Sequence, residues 1–137
     1  MKHYAESLTK KERDCIISIV ETQKGDFPVR LSDIAKSMKI KSPTALDLIK
    51  RLEAKNLVER DRGMIALTGS GENTYEDLML VHRVMEFLLT ESGVQPDDAC
   101  NDVKNYDYLM NIEFARKILK RIGNPKECPH GKPIVAR

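Results

Sequence analysis

The sequence has no tryptophan, four tyrosines and three phenylalanines, and only three histidines and three cysteines. No run approaches the roughly 18 apolar residues that a membrane-spanning helix needs, so no membrane partner is expected. The opening MKHYAESLTKKERD lacks the apolar core of a secretory signal, which makes a cytoplasmic location the expectation. Three cysteines, at 15, 100 and 128, are odd in number and widely spread. They do not suggest a disulfide framework and read instead as thiols, core residues or ligands. There is no nucleophile–base pair and no glycine-rich phosphate loop, so neither an enzyme nor a small-molecule substrate is expected. Internal repeats and low-complexity segments are absent as well.

What is there is charge and helical pattern. The 137 residues suit one compact domain or two small ones, and 32% of them are charged. The net charge of +2 conceals three blocks. Residues 1–64 carry 14 Lys+Arg against 10 Asp+Glu; residues 65–111 carry 2 against 9; residues 112–137 carry 7 against 2. A basic front half suits nucleic acid, and an acidic middle suits cations, although either is also compatible with a merely solvated surface.

SLTKKERDCIISIVETQ opens with a capping box, Thr9 with Glu12, or with Ser7 just before. Its apolar residues Cys15, Ile16, Ile19 and Val20 recur at helical spacing. KGDFPVR reads as a turn. LSDIAKSMKI reads as a short helix capped by Ser32. In KSPTALDLIKRLEAKNL, Ser42 caps, Pro43 takes the first helical position, and Ala45, Leu46, Ile49 and Leu52 form the buried stripe. Residues 57–60 and 64–68 read as two short strands joined at DRG. A longer helix follows, ended by Gly93. Another starts after Pro96 in QPDDACNDVKNYDYLM. A last one in NIEFARKILKRIG carries its basic residues in the final turns, where the helix dipole favours them. NPKECPHGKPIVAR is a Pro/Gly-rich tail.

Helix, short helix, turn, helix, hairpin is the order of a winged helix-turn-helix. The fold class expected is mainly α with a small β-hairpin wing: a DNA-binding domain over 1–71 and an all-helical domain over 72–137. The second helix of the pair would present Lys41, Ser42, Pro43, Thr44 and Asp47 to base edges and phosphates, with Lys50 one turn further. Arg60 and Arg62 flank the hairpin tip, where a wing reaches the backbone or the minor groove. Asp47 on that face can accept from a cytosine amino group or repel phosphate. A helix-turn-helix used only for protein contacts is the alternative.

LMLVHRVMEFLL, residues 78–89, sets His82 and Glu86 in an otherwise greasy helix. Four residues apart, they share a face one turn apart. Two readings stay open on these residues alone: a His–Glu hydrogen bond at a packing seam, or a pair of metal ligands. Cys128 and His130 form a Cys-x-His in a proline-bracketed turn. That spacing can place both on one metal, but a closed site needs two further ligands.

The winged helix followed by LMLVHRVMEFLL, DDACNDVKNYDYLM and finally GNPKECPHGKPI resembles the family of the diphtheria toxin repressor and the manganese transport regulator. The resemblance covers roughly residues 9–134. It implies a homodimeric, metal-dependent repressor that binds double-stranded operator DNA and silences metal-uptake genes. It also implies ligands. His82 and Glu86 match two of the iron-type site, and Cys100 stands where a later His usually falls. A thiolate there favours Fe2+ first, with Co2+, Ni2+ and Zn2+ also suited and Mn2+ less so. A second site is implied at Glu12, Cys15 and Asp107. Lys104 and Tyr108 depart from the family's ligands there, and an ammonium repels a cation. The tail segment with Cys128 and His130 is implied to be a packed terminus. Ending at Arg137, the chain resembles the shorter, two-domain members without the SH3-like domain. Two rival readings are a winged-helix repressor without metal control and a thiol-based redox regulator using Cys15 or Cys100.

Overall fold

The computed structural model describes residues 7–135. The chain is mainly helical with a small antiparallel sheet. It divides into two compact units, Met1–Tyr75 and Glu76–Arg137, with the division inside a long helix.

In the first unit, helix α1 (Lys10–Thr22) starts on a complete capping box. The Thr9 hydroxyl accepts from the Glu12 N–H, and the Glu12 carboxylate accepts from the Thr9 N–H. Its inward face is Cys15, Ile16 and Ile19. Strand β1 (Val29–Arg30) lies where a turn alone was expected. Two residues are too few for any periodicity, and only pairing with a later strand defines it. Helix α2 (Leu31–Met38) starts two residues earlier than a Ser32 cap implies, with Arg30 at its N-cap. Ser32 lies in its first turn and Asp33 does the capping, accepting from the Arg30 N–H at 2.9 Å. Helix α3 (Ser42–Ala54) starts one residue early, with Lys41 at its N-cap. Ala45, Leu48, Ile49 and Leu52 are buried, so Leu48, not the expected Leu46, completes the inward stripe; Leu46 is half-buried, and the opposite face is left exposed. Burying a side chain such as Ile49 or Leu52 stabilises by about 1.5–3 kcal/mol each.

The wing is β2 (Val58–Asp61) and β3 (Met64–Leu67), in a three-stranded sheet of order β1-β3-β2. Asp61 pairs with Met64, which leaves Arg62 and Gly63 as a two-residue turn. Both have positive φ, 53° and 81°, as the tight hairpin turn that matches strand twist requires. Helix α4 (Gly69–Glu91) follows at once. The Thr68 hydroxyl accepts from the Gly71 N–H at 3.0 Å. A Cβ on Gly71 would lie 2.0 Å from the Leu57 carbonyl oxygen, so only glycine lets this turn approach the end of the wing.

The second unit is built on the rest of α4, with α5 (Pro96–Val103) and α6 (Ile112–Arg121). Its core joins Leu80 and Val84 to Leu119, Cys128 and Ile134, with Phe87 and Ile118 packed against them. The stretch after Val103 does not continue as helix. It turns and forms a short 3-10 segment, Asp107–Leu109, which buries Asp107. The tail folds back as a tight loop. The Cys128 N–H donates to the Lys132 carbonyl, the Gly131 N–H to the Cys128 carbonyl, and the Ile134 N–H to the Lys126 carbonyl. The Arg83 guanidinium donates to the Pro133 carbonyl and ties this loop to α4.

Candidate metal centre and nucleic-acid interface

Helix α4 buries His82 and Glu86 on one face, at 8% and 2% exposure. Buried polar groups must be satisfied, and each finds its partners outside the helix. His82 Nδ1 lies 2.9 Å from Asp107 Oδ2. A carboxylate only accepts, so the hydrogen of this bond sits on Nδ1, and Nε2 is the ring nitrogen facing the other way. That Nε2 faces the Cys100 sulfur at 3.4 Å. Glu86 bonds His130 Nδ1 at 2.8 Å, and His130 Nε2 bonds Asp97 at 2.8 Å. In place of the simple His82–Glu86 hydrogen bond of the packing-seam reading stand two runs of contacts, Asp107–His82–Cys100 and Asp97–His130–Glu86, which meet where Cys100 bonds Glu86.

Two sets of donor atoms lie within 4.8 Å of one another: His82, Glu86 and Cys100, and Glu86, Cys128 and His130. Glu86 is common to both. The tail loop is packed, and the packing itself carries both donors to α4. The Cys-x-His spacing was the signal available in the sequence; its meaning depended on which helix the loop met. Asp97 carried no sequence signal of its own.

Burial and neighbouring charge shift three of these groups toward their protonated forms. Burial pushes the Cys100 thiol up, and the Glu86 charge and hydrogen bond push it further, against the pull of Lys104. The Cys128 thiol is raised by burial first, against bonds from the Lys132 and His130 backbone. His130 is raised by its bonds to Asp97 and Glu86, because both ring nitrogens then donate to carboxylates.

Glu12, Cys15 and Asp107 each have surroundings of their own. The Glu12 carboxylate is 2.6 Å from Lys55 Nζ and 4.0 Å from the Arg51 guanidinium. Cys15 is fully buried in the α1 stripe, and its thiol is pushed up to about 12 by burial and by the charges of Glu12 and Asp14. Asp107 is the partner of His82. Lys104 caps the end of α5.

In the first unit Lys41, Ser42, Pro43, Thr44, Asp47, Lys50, Arg60 and Arg62 are all exposed. No side chain caps the start of α3, so its free N–H groups point outward beside Lys41. Asp47 is held by Arg51 at 2.8 Å, which offsets its negative charge on that face. Arg60 is tied to Glu53 through two nitrogens, at 3.0 and 2.9 Å. Arg62 sits at the wing tip, where its carbonyl accepts from Arg30 at 3.3 Å. Arg30, which the linear pattern placed in a turn, therefore adds a guanidinium beside the wing.

No helix among the described residues is long and apolar enough to cross a membrane. Residues 23–63 match the MarR family. The chain is 30% identical over 107 residues to an uncharacterized HTH-type transcriptional regulator of Aeropyrum pernix, covering 77% of this chain and 59% of that one. It is 27% identical over 115 residues to the diphtheria toxin repressor of Corynebacterium diphtheriae, covering 82% and 50%. The chain thus spans between half and three fifths of the length of these curated relatives. A solved hypothetical protein from Sulfolobus solfataricus superposes with a TM-score of 0.81 at 30% identity, covering 93% of this chain and 99% of that one. Residues 68–136 match the metal binding and dimerisation domain of the iron dependent repressors, and this chain belongs to that family.

Proposed function

We propose that the chain is a metal-activated transcription repressor that binds double-stranded operator DNA as a homodimer. The observation that carries this reading is the convergence of His82, Cys100, Cys128 and His130 on one buried carboxylate, Glu86. Two imidazoles, two thiols and a carboxylate suit a borderline divalent metal, with Fe2+ favoured, Co2+, Ni2+ and Zn2+ close behind, and Mn2+ least suited. His82, Glu86 and Cys100 form one ligand set for it, and Glu86, Cys128 and His130 a second. A bound metal supplies the positive charge that protons otherwise supply to these groups. Asp107 holds the His82 ring so that Nε2 points inward.

Residues 1–71 form the DNA-binding domain in this reading, and 72–137 the metal-binding and dimerisation domain. Lys41, Ser42, Thr44 and Lys50 meet the major groove, and Arg60 and Arg62 the flanking backbone or minor groove. Leu109 and Phe114, 67% and 58% exposed, supply apolar area for the dimer contact. Metal need favour the DNA-competent state by only about 1–3 kcal/mol. The regulator acts in the cytoplasm on metal-uptake genes.

The test is fluorescence anisotropy on the protein's own promoter DNA, reduced and anaerobic, at one salt concentration. Metal should tighten binding about 5–150-fold over chelator. Equal affinity in chelator and in every metal would show a winged-helix regulator without a metal switch.

A further inference from the structure

We propose that Lys55 supplies internally the cationic charge that Glu12 needs, so that the metal response runs through the Glu86 centre alone. Glu12 is buried at 2% exposure, and such a carboxylate requires compensation. It has that within its own unit. One oxygen accepts from the Thr9 N–H at 3.0 Å and from Lys55 at 2.6 Å, and the other faces Arg51 at 4.0 Å. The Lys55 ammonium also donates to the Ser7 carbonyl at 2.9 Å. A second cation at Glu12 would meet an ammonium already in contact with the same oxygen.

The other members of the expected second site are equally committed. Cys15 is fully buried and contributes to the core. Asp107, 1% exposed, orients His82. It is a positioning residue of the Glu86 centre rather than a ligand of another. Lys55 sits at the C-cap of α3, so its bond to Glu12 joins the start of α1 to the end of the helix that faces DNA. That join does not depend on metal.

The metal-counting arm rests on the function proposed above; the stability arm does not. Co2+ would be counted per chain by calorimetry and by its thiolate absorption in wild type, Glu12→Gln and Asp107→Asn. The same number of ions is expected in all three, with affinity about 10–100-fold weaker in Asp107→Asn alone. Loss of one ion in either variant overturns the proposal. Separately, urea unfolding in chelator would compare Lys55→Met, Glu12→Gln and the double variant. A coupling of about fivefold or more in the unfolding constant is expected, and Lys55→Arg should retain much of it. Additive effects would overturn the role of Lys55 even if the metal counts agree. Should wild type bind no Co2+, the proposed function fails, while the urea cycle still decides the Lys55–Glu12 pair.

Discussion

Glu86→Gln is the substitution that weighs most on the metal reading, because Glu86 belongs to both donor sets. Glutamine keeps the volume and one carbonyl oxygen but removes the charge. Structural zinc sites with four ligands bind with about 10–16 kcal/mol, so one ligand accounts for about 2.5–4 kcal/mol. That is about a 100- to 1,000-fold loss of metal affinity. Cys100→Ser and His82→Ala should each weaken only the first set, and Cys128→Ser only the second. The assay is calorimetric titration of reduced, anaerobic protein with Co2+ or Fe2+, alongside the melting temperature with and without metal. Glu86→Gln should fold, and its melting temperature should no longer rise when metal is added. Metal affinity within threefold of wild type would refute the reasoning. The buried carboxylate would then be a hydrogen-bonding partner in a packing seam, and the two runs of contacts would have no ion to serve.

Metal uptake should release protons. Both thiols are shifted upward from an already basic range, so at pH 7 they hold their protons without metal and must lose them to ligate, and His130 is shifted in the same direction. Affinity therefore rises with pH, by up to about tenfold per unit for each proton released; titration in two buffers of different ionisation enthalpy would read it, and buffer-independent heats would contradict it. Lys50→Ala should weaken DNA binding with or without metal and lower the salt slope by about 1 if Lys50 meets a phosphate. Thr44→Ala should weaken it too, and unchanged anisotropy in both would place the interface elsewhere. Gly71→Val should cost about 1–3 kcal/mol or more in urea unfolding, since its Cβ would fall 2.0 Å from the Leu57 carbonyl. A neutral result would mean that the α4 start can move.

Local rules were enough for much of the first unit. The Thr9–Glu12 box, the stripe of Ala45, Ile49 and Leu52, and the Arg62–Gly63 turn depend on residues a few positions apart, so their physics is written in the linear order. His82, Glu86 and Cys100 were legible for a similar reason: a four-residue step on a helix fixes a shared face, and family resemblance pointed to the third residue. The basic face of α3 and the wing arginines were equally plain from spacing and charge.

Other features depended on tertiary contact. Strand β1 exists only because Val29 and Arg30 meet Ile65 and Met64. Glu12 offered a ligand by type and position, but only the packing of α1 on the end of α3 brought Lys55 to within 2.6 Å of it. Asp107 had the chemistry of a ligand, and only the 3-10 turn sets its carboxylate 2.9 Å from His82 Nδ1. Cys128 and His130 had a suggestive spacing, yet their place beside Glu86 comes from a tail loop closed by backbone bonds and by Arg83. Spacing along the chain determines what one helix or turn can present. Which groups meet across elements is decided by the core that brings those elements together, and the donor cluster around Glu86 is made of such meetings.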